Sequence, residues 1–112
     1  SPTLKFIRWP ELGGDTTPDS EFHAIITNEI MPAELVIIDD IGADTDAYKA
    51  GRSANRLQII LDRCENKWLF ATSNLTADGF TERYGERVSS RLKRCVSLWI
   101  DSPDYRPNKK NS

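Results

Sequence analysis

Apolar positions along the chain fall into two kinds of run. Leu35-Val36-Ile37-Ile38 is unbroken hydrophobe ending in Asp39-Asp40, and Lys67-Trp68-Leu69-Phe70-Ala71 runs in the same way into Thr72-Ser73-Asn74. A strand covered on both faces reads as continuous hydrophobe rather than as alternation, so both runs predict buried parallel strands. Between them, within Ser53 to Glu65, Leu57, Ile60, Leu61 and Cys64 recur at helical spacing and predict a one-sided amphipathic helix. Strand, helix, strand is a right-handed parallel crossover, which places both strand ends on the same edge of a sheet.

The flanking segments extend this pattern. Thr17-Pro18 predicts a helix start, with a capping hydroxyl and proline at the first helical position. Phe22, Ile25, Ile26 and Ile30 give that helix an apolar face, and Met31-Pro32 ends it. Leu75-Thr76 with Phe80 has the spacing of a cap plus hydrophobic staple, so a short helix follows Asn74. From Glu82 to Arg94 the chain is basic, and Arg83, Arg87 and Arg91 share a face if the helix is continuous; Gly85 is the point where it would break. Val96 to Ile100 reads as a last strand, and Asp101 to Ser112 as a polar, proline-containing tail.

Composition narrows the class. With 112 residues, 38% hydrophobic and 29% charged, the chain forms one globular domain without room for a second. No signal peptide, transmembrane run or lipidation motif is visible, which makes a cytoplasmic location the default. Cys64 and Cys95 lack metal-ligand spacing and read as reduced thiols in a cytosolic core. His23, with no triad or metal spacing around it, reads as a surface or capping residue. The net charge of −2 hides a polarity: Ser1 to Asp46 holds two basic residues against ten acids, whereas Arg83 to Ser112 holds eight basic residues against three acids. Opposite poles suit head-to-tail assembly or a polyanion at the basic end, while a pI near 5.4 gives no nucleic-acid footprint for the whole chain.

The chemistry gathers at the strand ends. Ligands of open α/β sheets bind outside the carboxyl ends of the strands, where Asp39 and Asp40 emerge. Two acids there suit a Mg²⁺-nucleotide site, the first helping to hold the ion and the second polarising an attacking water. Asn74, at the end of the next strand, would orient a water or contact a γ-phosphate. The plain alternatives are a core strand followed by an acidic loop, a turn asparagine with a local backbone bond, and arginines on a solvated helix face.

Three segments in this order resemble a known family. Ile37-Ile38-Asp39-Asp40-Ile41-Gly42, Ala71-Thr72-Ser73-Asn74-Leu75 and Gly85-Glu86-Arg87-Val88-Ser89-Ser90-Arg91-Leu92 are similar to the Walker B, sensor 1 and arginine-finger box of the DnaC/IstB branch of AAA+ ATPases. Those proteins are bacterial and phage replicative-helicase loaders and ATPase partners of transposases. The resemblance covers Leu35 to Ile100. It implies Asp39 as the Mg²⁺-associated acid, Asp40 as the catalytic acid, Asn74 as sensor 1 and Arg91 as the finger, with Arg87 a nearby arginine of the same box. Asp-Asp stands where many AAA+ proteins carry Asp-Glu.

One departure is larger. No Gly-x-x-x-x-Gly-Lys-Ser/Thr occurs, and Gly13-Gly14 is followed by Asp15 with no nearby lysine, so the loop that cradles the β and γ phosphates is absent. Because Leu4 to Trp9 resembles the strand that follows that loop, the chain looks like a partial AAA+ domain over residues 1–112. The expected fold is a truncated P-loop NTPase core, a three-layer α/β sandwich with a mostly parallel sheet. In the family's strand order a strand missing from this chain lies between those that Lys67 to Thr72 and Val96 to Ile100 resemble. Its loss leaves an apolar slot or lets the two pair directly, and unpaired edges favour self-association.

The resemblance further implies ATP and Mg²⁺ bound between head-to-tail subunits of the intact parent, with neither held tightly by this chain alone. A replicative helicase or transposase is the implied partner, with DNA as a further candidate and no membrane. Two other classes stay open. A receiver-like, Mg²⁺-dependent phosphoryl-transfer domain would also use acids and a Thr-Ser cluster at strand ends, although a separate phosphoacceptor aspartate and the lysine of a later strand are lacking. A non-enzymatic ATPase remnant would serve as an oligomerisation or helicase-contact module.

Overall fold

The computed structural model describes residues 3–14, 17–43 and 50–94. Its elements in chain order are β1 (Leu4–Arg8), α1 (Trp9–Leu12), α2 (Asp19–Ile25, continued by a π-helical turn at Ile26–Ile30), β2 (Leu35–Ile41), α3 (Ala50–Arg63), β3 (Trp68–Ser73), α4 (Ala77–Tyr84) and α5 (Glu86–Arg94). The three strands form one parallel sheet in the order β1-β2-β3. Both apolar runs are thus parallel strands joined by the expected helix. β3 extends past Ala71 to take in Thr72 and Ser73 of the polar cluster. Val96 to Ile100 and the 101–112 tail lie outside the described residues, as does Cys95, and among the described residues the far edge of β3 carries no strand.

Register explains the core. Ile7 pairs with Ile38, which pairs with Ala71, and Lys5 pairs with Val36, which pairs with Leu69. Side chains alternate across a strand, so Ile7, Val36, Ile38, Leu69 and Ala71 share one face, and all five are buried. Leu57, Ile60 and Leu61 of α3 and Cys64 just after it join the same cluster, the apolar stripe read from the sequence. Phe22, Ile26 and Ile30 extend it from α2, and Phe80, Tyr84, Val88 and Leu92 from α4 and α5. Ion pairs fix the helices on this side: Lys5 with Glu29 of the π-helical turn, and Arg91 of α5 with Asp62 of α3. The opposite face exposes Leu4, Phe6 and Trp68.

Local signals account for most boundaries. The Thr76 hydroxyl accepts a hydrogen bond from the Gly79 amide at 2.9 Å, the expected cap, and Phe80 is buried. Gly85, at φ +95, separates α4 from α5, so Arg83 sits on one helix and Arg87 and Arg91 on the next. The start of α2 differs from expectation. Pro18 is extended at ψ 158 and precedes the first helical residue, Asp19, while the Thr17 hydroxyl donates to the Glu11 carbonyl at 2.8 Å instead of capping.

Arg56 of α3, 2% exposed, explains that arrangement. Its guanidinium donates to the carbonyls of Leu12 (2.7 Å), Gly14 (3.2 Å) and Thr17 (2.7 Å) and to Asp19 Oδ1 (2.7 Å), and it stacks 4.8 Å above the Phe22 ring. A buried charge stays ionised only if its donors find partners. The terminal nitrogens of one arginine therefore hold Leu12, Gly14, Thr17 and Asp19 together, while its Nε is buried without a partner. His23 is exposed on α2 with its ring edge-on to Phe22. Among the described residues no helix is long and apolar enough to cross a membrane.

Candidate functional site

The carboxyl ends of the three strands bring together residues distant in sequence. Arg8 ends β1 and lies in register with Asp39 of β2. Past Ile38, paired with Ala71, the next β2–β3 pair is Ile41 with Ser73, so β2 holds one residue more than its partner. This is a bulge, and Asp40 takes the strained part of it at φ +70, a left-handed conformation that aspartate tolerates better than most residues. Two consecutive acids would otherwise point to opposite faces. With the bulge, both find partners at one rim.

A single hydroxyl serves both. Thr72 Oγ1 donates to Asp39 Oδ1 at 2.6 Å and accepts from the Asp40 amide at 2.8 Å. The Asp40 carboxylate meets Arg8 instead, with Oδ2 3.4 Å from a guanidinium nitrogen, and the same arginine lies 3.9 Å from Glu11. Asp39 and Asp40 are partly exposed. Ser73 reinforces the turn beyond β3, its hydroxyl donating to the Ile41 carbonyl at 2.7 Å and accepting from the Leu75 amide at 3.1 Å.

Asn74 sits against this rim. Gly42 stands at φ +104, and a Cβ there would come within 2.6 Å of Asn74 Oδ1, so only glycine lets the asparagine approach the chain this closely two residues after Asp40. Arg83 reaches the same turn from α4, donating to the Gly42 carbonyl at 3.2 Å. The geometry thus gathers Asp39, Asp40, Thr72, Asn74 and Arg8, with Arg83 behind them.

Arg87 and Arg91 lie elsewhere. Arg87 is exposed on α5, and Arg91 is bonded to Asp62 at 2.8 Å with Glu65 at 3.9 Å. Those acids stand at the carboxyl end of α3, next to where β3 begins, whereas Asp39 and Asp40 stand where β2 ends. Arg91 is paired with Asp62 and Glu65 rather than with Asp39 or Asp40.

Chemically, the rim offers two carboxylates, a hydroxyl, an amide and a cation at the partly solvated ends of the strands. Among the described residues no group of three or more His, Cys, Asp or Glu side chains could enclose a metal ion by itself. Mg²⁺ does not demand such a cage, since it takes one or two carboxylates and fills its octahedron with water and substrate phosphate. Asp39 and Asp40 fit that mode of binding.

Sequence reasoning singled out Asp39, Asp40 and Asn74, which lie at one rim, but missed Arg8 and the two hydrogen bonds made by the Thr72 hydroxyl. Both depend on strand register, and nothing in a run such as Phe6-Ile7-Arg8 announces which rung it will share. No family model, no curated protein and no solved structure matches this chain.

Proposed function

We propose that this chain supplies the acid side of a Mg²⁺-nucleotide hydrolysis site of the DnaC/IstB-like AAA+ type, working in DNA replication or transposition. The observation that carries the reading is the convergence of Asp39, Asp40 and Asn74 on one rim of a parallel sheet, with the two acids fastened by Thr72. Asp39 would help hold the ion, Asp40 would take the proton side of water attack, and Asn74 would orient the water. Mg²⁺ would neutralise charge on the transferred phosphoryl group. Arg8 keeps the Asp40 carboxylate engaged at the rim until a cation or water competes for it.

The position of Arg91 supports a division of labour between subunits. An arginine paired with Asp62 at the carboxyl end of α3, and not with Asp39 or Asp40, suits a neighbour's phosphate across a head-to-tail contact. The polarity of the chain, acidic at one end and basic at the other, fits the same contact. Its ion pair with Asp62 would then open on assembly, at little cost for a pair so near solvent.

The test mixes two variants of a longer form that carries a phosphate-binding loop. Arg91→Ala and Asp40→Asn should each be nearly inactive alone, and mixed oligomers should recover part of the ATP hydrolysis, because some interfaces then hold an intact acid and an intact arginine. No recovery in mixed oligomers confirmed to form would reject the trans role. Full activity of Asp40→Asn would reject the site.

A further inference from the structure

The two acids of the rim are not held alike. Thr72, itself buried, donates its hydroxyl proton to Asp39 Oδ1 at 2.6 Å, and its oxygen accepts from the Asp40 amide at 2.8 Å. That amide belongs to the backbone of the bulge, so the acceptor side of the hydroxyl is fixed and its proton is directed at Asp39. A hydroxyl bonded this closely to a carboxylate makes a charge-assisted bond, and accepting from an amide polarises the hydroxyl further. The Asp40 carboxylate is met instead by a guanidinium nitrogen 3.4 Å away on the half-exposed Arg8.

We infer, resting on the Mg²⁺ site proposed above, that Thr72 is a positioning residue of that site: by holding Oδ1 it makes Asp39 a one-oxygen ligand, suited to a small octahedral cation rather than to Ca²⁺. The reason lies in coordination geometry. Mg²⁺ demands a near-regular octahedron, whose right-angled positions the two oxygens of one carboxylate cannot both fill, whereas Ca²⁺ accepts a carboxylate through both oxygens in a larger, looser shell. Ligating carboxylates are themselves hydrogen-bonded, and loss of that outer partner costs about 10–100-fold in metal affinity.

The sheet prepares Thr72 for this part. Its place in β3 is set by the rungs Ile38-Ala71 and Ile41-Ser73, and the extra residue of β2 falls between them, so one hydroxyl on β3 meets both acids. The β-branch of threonine holds that hydroxyl stiffly at χ1. Ser73, next along β3, sends its hydroxyl to the Ile41 carbonyl and serves the turn. Valine at position 72 would keep the branch but release Asp39 Oδ1, opening both oxygens of Asp39 to a larger cation.

Titration of the full chain with Mn²⁺ alone and with Ca²⁺ alone tests this, Mn²⁺ standing for Mg²⁺ as an ion of octahedral oxygen sites that also broadens nearby amide resonances. Wild type is expected to prefer Mn²⁺, with broadening centred on Asp39 and Asp40. Thr72→Val should lose Mn²⁺ affinity by about tenfold or more and Ca²⁺ affinity by less, so that the preference narrows, while Thr72→Ser keeps the hydroxyl and the preference. Ile30→Val, which trims a buried residue of the turn leading into the opposite end of β2, should keep both affinities. A wild type that prefers Ca²⁺, a folded Thr72→Val with the wild-type preference, or a serine or Ile30→Val variant with the valine loss overturns the positioning role and leaves the acid site standing. Wild type without broadening at Asp39 and Asp40 rejects the Mg²⁺ site itself, and the role of Thr72 with it. Circular dichroism reports folding. Should Thr72→Val not fold, wild type decides: the Asp40 amide should stay protected from hydrogen exchange when Mg²⁺ saturates the rim, and loss of that protection overturns the role.

Discussion

Thr72→Val removes one hydroxyl from the middle of the acid rim while nearly preserving shape. Two bonds go with it: the donation to Asp39 Oδ1 at 2.6 Å, and the acceptance from the Asp40 amide at 2.8 Å. A hydrogen bond to a charged group contributes about 1.5–3 kcal/mol net, and a backbone N–H left without a partner costs about 1–3 kcal/mol. Asp39 and Asp40 keep partial access to water, which recovers part of both losses, so the expected destabilisation is about 2–3 kcal/mol. Thr72→Ser keeps the oxygen and loses one methyl, for a cost of about 1 kcal/mol.

Urea unfolding reads these values. The valine variant should move the midpoint down with an unchanged slope, since the surface exposed on unfolding hardly differs. A double-mutant cycle with Asp39→Ala should give a coupling of at least about 1 kcal/mol, because the two side chains are in direct contact. Valine within about 0.5 kcal/mol of wild type, or serine as damaging as valine, would refute the claim that this hydroxyl fastens the rim.

Two further outcomes are expected. The chain alone should neither hydrolyse ATP nor bind it with micromolar affinity in calorimetry, because two carboxylates without a phosphate-cradling loop repel a triphosphate unless metal intervenes. Asp19 makes the fold acid-sensitive: its hydrogen bond with Arg56, helped by the nearby charge of Arg52, holds its carboxyl below the ordinary value. A lowered folded-state pKa gives stability that is present above the unfolded value and lost as pH falls through it towards the folded one. The stability difference between wild type and Asp19→Asn should therefore shrink on acidification through the carboxylate range; a gap constant with pH would argue against it.

How much of this was legible in the sequence depended on how local each cause is. The β2 and β3 runs, the stripe of Leu57, Ile60, Leu61 and Cys64 along and just after α3, the Thr76 cap and the Gly85 break are decided by neighbours within a few residues, and each appears where it was expected. Thr17 failed as a cap because a distant residue, Arg56, holds its carbonyl while its hydroxyl donates to Glu11. At the site, the positions of Asp39, Asp40 and Asn74 follow from strand ends. What each touches follows from register and from the extra residue in β2. Arg91 could be placed on a helix from its spacing, but its bond to Asp62 depends on how α5 packs against α3, which no local pattern encodes.

The clasp formed by Arg56 also bears on how this domain breathes. Four acceptors spread from Leu12 to Asp19 end on one guanidinium that has almost no access to solvent. Releasing any one of these four strands part of a buried cation, so none of them is given up cheaply by itself. The segment and the first half of α3 therefore open together or not at all, as one cooperative unit.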